Sequence, residues 1–257
     1  MRQRDPEKNE LIISYMYLRK TVGWIGTLLP AVLLAGNAIF TTSLPGSMSG
    51  YYYTHMRNVF VGALCALGVF LLAYDGYDEV DRWITNIAGL GAIGVAFCPT
   101  KPAVRPLTMT QQVVGDVHLF FAAVTFIALG LMALRFAKPA PTPEGQTGMS
   151  RIWYGLGLAA PSGDQPAKKK VRTTVYRACG GTILACVLLA AASNLLPASV
   201  KAYGPWLFIF EALAVFAFGV SWFVKGQTLL HTAQHARAAV RATQPARPAA
   251  PQGFPAP

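Results

Sequence analysis

Glu211 poses the sharpest chemical question in this 257-residue chain. It stands inside the apolar stretch 205–224, about 10 Å from its start at helical rise. A carboxylate well inside a membrane span costs on the order of 3 kcal/mol. It must therefore face protein or water, and be paired, hydrogen-bonded or protonated. That leaves two readings: a ligand or proton site, or a structural ion pair or hydrogen bond. Arg57 opens another apolar stretch on the side from which Glu211 is reached, and it is the expected partner because it stays charged at any relevant pH. Its guanidinium suits an anion or a lipid headgroup, although a long basic side chain also snorkels to lipid phosphates. His118 lies just inside the stretch 117–136, as a ligand, a proton acceptor or an interfacial polar group. Asn58 adjoins Arg57, Asn37 lies near the far end of the first stretch, and Ser49 sits in the loop between the first two. Glu211, Arg57, His118, Ser49, Asn58 and Asn37 thus form one candidate polar cluster in the outer half of the membrane. The chemistry it offers is binding or transport of a small polar molecule or a lipid headgroup.

Other reactive residue types read as structural. Asp116 is placed to cap the fourth helix, and Asn194 ends the fifth. Asp75, Asp78, Glu79 and Asp81 read as a solvated acidic turn. His231 and His235 have i, i+4 spacing, but no Cys or carboxylate follows nearby as a third metal ligand, so they read as a solvated tail. Cys65, Cys98, Cys179 and Cys186 all fall in apolar stretches and read as small buried side chains, not a disulfide framework. No catalytic residue, metal site or cofactor is assigned, and whether the chain is an enzyme stays open, with the residues leaning against it.

The elements that must position these residues are six apolar runs, near 22–41, 58–74, 83–100, 117–136, 176–196 and 205–224. A spanning helix needs roughly 20 mostly apolar residues. The expected fold is all-α, a polytopic transmembrane bundle of six helices. Residues 1–21 form a basic leader and 22–226 the membrane domain. Within that domain, 137–174 is a flexible, Pro-, Gly- and Lys-rich connection; after it, 227–257 is a largely disordered tail. The first run is too long for a secretory h-region and reads as a span. Small residues such as Gly68, Gly89, Gly91 and Gly94 favour close helix packing in lipid, with helices 2 and 3 as a hairpin.

Charge sets the orientation. Charged residues make up only 13% of the chain, about half the share usual in soluble domains. The net charge of +11 would suggest nucleic acid in a soluble protein. Here the positive-inside rule accounts for it, and no nucleic-acid partner is expected. Of the 22 Lys and Arg residues, only Arg57, Lys101, Arg105 and Lys201 fall on the outer side. Both termini are therefore expected in the cytoplasm.

Several segments make the chain resemble a group of bacterial six-helix inner-membrane proteins without an assigned function. They are Ser47-x-Ser49-x-Tyr51-Tyr52-x-Thr54-x-Met56-Arg57, Phe60-Val61-Gly62-x-Leu64-Cys65, Gly94-Val95-Ala96-Phe97-x-Pro99-Thr100, His118, and Phe218-Gly219-x-Ser221-Trp222-x-x-Lys225-Gly226. Members of that group often carry Asp where this chain has Asn58, which weakens any mechanism needing a carboxylate beside Arg57. The resemblance implies architecture and membrane lipid as surroundings, not an activity. Two further readings stand beside a binding protein. One is a structural or assembly protein whose polar residues only bond helices together. The other is a membrane-embedded hydrolase resembling alkaline ceramidases. In that reading the His231/His235 pair would lie across a roughly 30 Å core from Ser49 and His118, so the ligands could not converge.

Overall fold

The protein is described by a computed structural model over residues 6–41, 43–76, 78–103, 106–138, 167–193 and 205–242. Six α-helices occupy these residues: α1 Pro6–Phe40, α2 Arg57–Leu72, α3 Glu79–Phe97, α4 Met109–Arg135, α5 Ala167–Ser193 and α6 Trp206–Ala242. One 3-10 turn, Ser49–Tyr53, lies between α1 and α2. Among the described residues, four helices contain segments long and apolar enough to cross a membrane: Tyr17–Phe40, Met109–Arg135, Lys169–Ser193 and Trp206–Gly226. The other two expected spans are shorter or more polar. The 16 residues of α2 extend about 24 Å, and α3 carries Glu79, Asp81 and Arg82 in its first turn.

Helix ends depart from the hydropathy runs where local chemistry overrides apolarity. Asp116 does not cap α4. That helix begins at Met109, because the Thr108 hydroxyl accepts the Gln111 N–H while the Gln111 side chain reaches back to the Thr108 N–H. Asp116 instead pairs with Lys101 at 2.5 Å. The helix of α1 starts well inside the expected leader, and α6 continues past 226 to Ala242. Part of the expected 137–174 connection is helical from Ala167; residues 139–166, Asn194 and 243–257 lie outside the described residues.

Successive helices run antiparallel and close a ring in the order α1, α2, α3, α4, α5, α6, with α6 returning against α1. The α1–α2 seam is the least extensive, and α4 also touches α6 across the middle. We call the end where Arg19 and Lys225 lie the terminal end, and the opposite one the distal end. Small residues allow the tightest approaches. A Cβ on Gly219 of α6 would fall 2.2 Å from the Thr27 backbone nitrogen of α1. A Cβ on Gly89 of α3 would fall 2.7 Å from the Gly68 carbonyl oxygen of α2. The α2–α3 hairpin turns through Gly76, whose φ of 67° is left-handed and open to glycine.

The core has two tiers. In the terminal half, Tyr74, Met132, Phe136, Tyr176, Ile183 and Trp222 are buried together. In the distal half the buried set is Leu29, Leu33, Met48, Tyr51, Phe60, Phe208 and Val215. The 3-10 turn and the residues before it therefore fold inward as part of the core, although hydropathy shows them only as a loop.

Candidate functional site

Glu211 lies one turn into α6, where that helix meets the loop leading to the 3-10 turn. Phe208 N–H donates to the Gly46 carbonyl at 3.2 Å and fixes the loop against the start of α6. The half-buried carboxylate then accepts the Met48 N–H at 2.5 Å, the Ser49 N–H at 3.4 Å and the Ser49 hydroxyl at 3.4 Å. Met48 is the N-cap of the 3-10 turn, and its own side chain supplies no cap. Glu211 fills that role from another helix, as an acidic group at the N-terminal end of a helical turn does in general.

The structure brings Glu211 and Ser49 together and sends the rest of the candidate cluster elsewhere. Arg57 is not the partner of Glu211. It is exposed, its guanidinium lies 4.1 Å from the Tyr52 ring centroid, and Nη2 donates to the Tyr52 hydroxyl at 2.5 Å. Aromatic faces and guanidinium groups pair readily, and this local partner sits five residues away, nearer than Glu211. Asn58 is exposed beside it. His118 is buried, and Nδ1 donates to the Cys98 carbonyl at 2.6 Å, tying the first half of α4 to the end of α3. Asn37 is buried and donates to the Ser43 carbonyl at 2.9 Å, closing the end of α1. The two buried groups, His118 and Asn37, are thus both used by nearby backbone, as buried polar groups generally are.

Behind Ser49 and Glu211 lies a cavity of about 50 Å³. Its walls are Phe60, Leu64, Leu67 and Leu71 of α2, Ala92 and Val95 of α3, Ala122, Thr125, Phe126 and Leu129 of α4, and Val215 and Phe218 of α6. Along α2 it runs from Phe60 to Leu71, about 16 Å at helical rise. Thr125 gives its hydroxyl hydrogen to the Phe121 carbonyl at 2.7 Å, so the wall there presents no free donor. The slot is apolar over its length and polar only at its distal end. By the usual scale of about 10–15 Å³ per water-sized group, it holds a few such groups in a row.

Past Leu71 and Phe218, toward the terminal end, aromatic rings pack against one another. Trp222 packs edge-on against Tyr74 at 4.9 Å and Phe136 at 5.4 Å, and Phe136 against Tyr176 at 5.7 Å. Beyond the rings is a charge network that the acidic-turn reading missed. Asp81 is buried and bound to Arg135 Nε. Arg135 Nη2 also donates to Asp78 at 2.7 and 2.8 Å, and Lys138 Nζ to Asp78 at 2.7 Å. Asp78 caps α3 through the Asp81 N–H at 2.9 Å. Burial pushes the Asp78 carboxyl up. The Lys138 and Asp81 hydrogen bonds, with the charges of Arg135 and Lys138, outweigh it and hold the pKa at about 2. Only Asp75 and Glu79 of that turn are exposed. The signal available in sequence was the i, i+3 pair Asp78/Asp81 facing the Arg135/Lys138 pair at the same membrane level.

Among the described residues no group of three His, Cys, Asp or Glu side chains comes together to hold a metal ion. The side chains of His231 and His235 lie outside the described set. No family model matches the chain, and neither a curated protein nor a solved structure matches it.

Proposed function

We propose that this chain is a six-span protein of a bacterial cytoplasmic membrane, both termini inside, that holds the end of a lipid acyl chain within its helix ring. The apolar slot carries the reading. An apolar cavity favours an apolar occupant over a small polar solute, and the surrounding lipid supplies acyl chains in excess. Glu211 and the loop it holds close the distal end, so their role is to shape the slot rather than to bind a polar ligand.

Three features support six spans. Val80, Trp83, Ile87, Leu90 and Phe97 are exposed along α3 at helical spacing, as a lipid-facing stripe would be. Val59, Val69 and Leu72 are exposed on α2. The helices alternate in direction, which brings the Lys- and Arg-rich connections to the terminal end, the cytoplasmic side by the positive-inside rule.

The test uses a variant with Trp222 as sole tryptophan, reconstituted into phospholipid brominated near the ends of its acyl chains. Trp222 rests against Phe218, a slot residue, at 5.9 Å between ring centroids. Bromine in the slot quenches its fluorescence, and Ala92→Leu, which grows a side chain into the slot, removes most of that quenching while the melting temperature holds. Equal quenching in both variants would count against an acyl chain in the slot.

A further inference from the structure

The residues that close the distal end of the slot hang on one ionisable group. The 3-10 turn is held internally by its own backbone. Gly50 N–H donates to the Ser47 carbonyl at 3.1 Å, Tyr51 N–H to that of Met48 at 3.2 Å, and Thr54 N–H to that of Tyr51 at 3.1 Å. The Met48 and Ser49 N–H groups donate instead to Glu211 Oε2 on α6, at 2.5 and 3.4 Å. Together with the Phe208–Gly46 bond, these contacts attach the turn to α6. Met48, Ser49 and Glu211 are also the residues at the distal end of the slot. Among the described residues no cation answers the Glu211 charge: Arg57 is bound to Tyr52, Lys101 to Asp116, and His118 to the Cys98 carbonyl. His55 stacks on Phe40, and Tyr51 is buried against Phe208. Over their distal halves α1 carries no titratable side chain, α3 none before Cys98, α2 only Cys65 past Arg57, and α5 only the buried Cys186.

We propose that Glu211 is a proton-operated latch on the distal end of the slot: ionised, it holds the turn against α6, and protonated, it lets the turn part from α6 and opens the slot to the distal face. The contacts fix where the proton goes. Oε2 faces two N–H donors and has no room for a hydrogen of its own, so the proton settles on Oε1, whose one contact is the Ser49 hydroxyl at 3.4 Å. The Met48 and Ser49 bonds then lose their charge assistance, and a charge-assisted hydrogen bond is roughly twice as strong as a neutral one. No cation is present to resist the loss of charge by pairing with the carboxylate. Water reaches the latch, because Glu211 is half-buried, Gly46 is exposed, and Ser47 and Gly50 are half-buried. The turn keeps its internal bonds when it is released, so it moves as one piece. The slot walls behind it offer no ionisable side chain, and their polar Thr125 is already bonded to Phe121. The latch governs closure of the slot and works the same way whatever fills it.

The test is amide hydrogen exchange on the full chain in detergent micelles, from about pH 4 to about pH 9, a window that brackets carboxyl titration in proteins. Rates are corrected for the chemical dependence of exchange on pH. Protection of the Met48 and Ser49 amides should fall about fivefold as Glu211 takes up its proton, the difference between a charge-assisted and a neutral hydrogen bond. Ala88 and Ala92 of α3 should keep theirs. In Glu211→Gln the two turn amides should show the lower protection at every pH. The slot is read separately through Val215→Cys in a cysteine-free background, whose thiol replaces a slot-lining side chain one turn beyond Glu211. At one alkaline pH, a small water-soluble thiol reagent should react with it about fivefold faster when Glu211→Gln is added, in step with the open population. Comparison at a single pH cancels the ionisation of the thiol itself. Turn protection that is flat with pH, equally pH-dependent in Glu211→Gln, or lost in common with Ala88 and Ala92 would overturn the latch. Release of the turn with no gain in Val215→Cys reactivity would overturn its control of the slot.

Discussion

Glu211 ties two helices' worth of chain to one loop, and removing its carboxylate measures that tie. In Glu211→Ala the Met48 N–H loses its only acceptor from α6, at 2.5 Å, and Ser49 loses two weaker contacts at 3.4 Å. A hydrogen bond to a charged group contributes about 1.5–3 kcal/mol, and a buried donor left without a partner costs a similar amount. The two 3.4 Å contacts add little, so the expected loss is about 2–3 kcal/mol for Ala. Gln keeps one acceptor oxygen, and its expected loss is nearer about 1 kcal/mol. The assay is equilibrium unfolding in mixed micelles by denaturing-detergent titration. Double-mutant cycles decide whether the partner is the loop or Arg57. Glu211→Ala with Ser49→Ala should show coupling of about 0.5–1 kcal/mol, because the two residues touch. Glu211→Gln with Arg57→Gln should be additive within about 0.5 kcal/mol, because Arg57 is engaged by Tyr52. Coupling well above 1 kcal/mol between 211 and 57, with additivity between 211 and 49, would refute the assignment of Glu211 to the loop.

Three further outcomes follow from the packing. Gly219→Ala should destabilise by about 1–3 kcal/mol through overpacking, since its Cβ would meet the Thr27 backbone at 2.2 Å. Gly181→Ala, with nothing within 4 Å of its Cβ, should be neutral or stabilise by about 0.5–1 kcal/mol; equal melting temperatures for the two would contradict the α1–α6 contact. The Asp78 pKa is depressed from 3.8 to about 2 in the folded protein, so its contribution to stability is present above about pH 4 and is lost as the pH falls through about 2. Asp78→Asn should therefore flatten stability against pH in that window, and an unchanged slope would rule out the Arg135–Lys138 bonding. In a cysteine-free background, Ala103→Cys should react with an impermeant thiol reagent in intact cells, whereas Asp75→Cys should react only after permeabilisation; the reverse pattern would invert the topology.

Composition and periodicity alone carried the all-α class, the membrane character and the approximate place of each helix, because an apolar run and a loop charge bias are local properties of the chain. Gly219 and Trp222 stood out within one motif, and the structure gives both a packing reason: close approach to α1 and the centre of the aromatic cluster. Partner choice was not legible. The expected Glu211–Arg57 pair assumed that opposite charges at similar depth find one another, whereas a Tyr52 ring five residues from Arg57 and two loop N–H groups were nearer. The acidic turn looked solvated because its partners, Arg135 and Lys138, are more than fifty residues away in sequence. Hydropathy likewise passed over the residues around Met48 and Tyr51, which are short and mixed in polarity, yet they are buried because Glu211 and Phe208 draw that loop into the ring. Where a side chain lies along the membrane normal follows from counting residues; which neighbour it meets is decided by the order of helices around the ring, and no local property of the chain encodes that order.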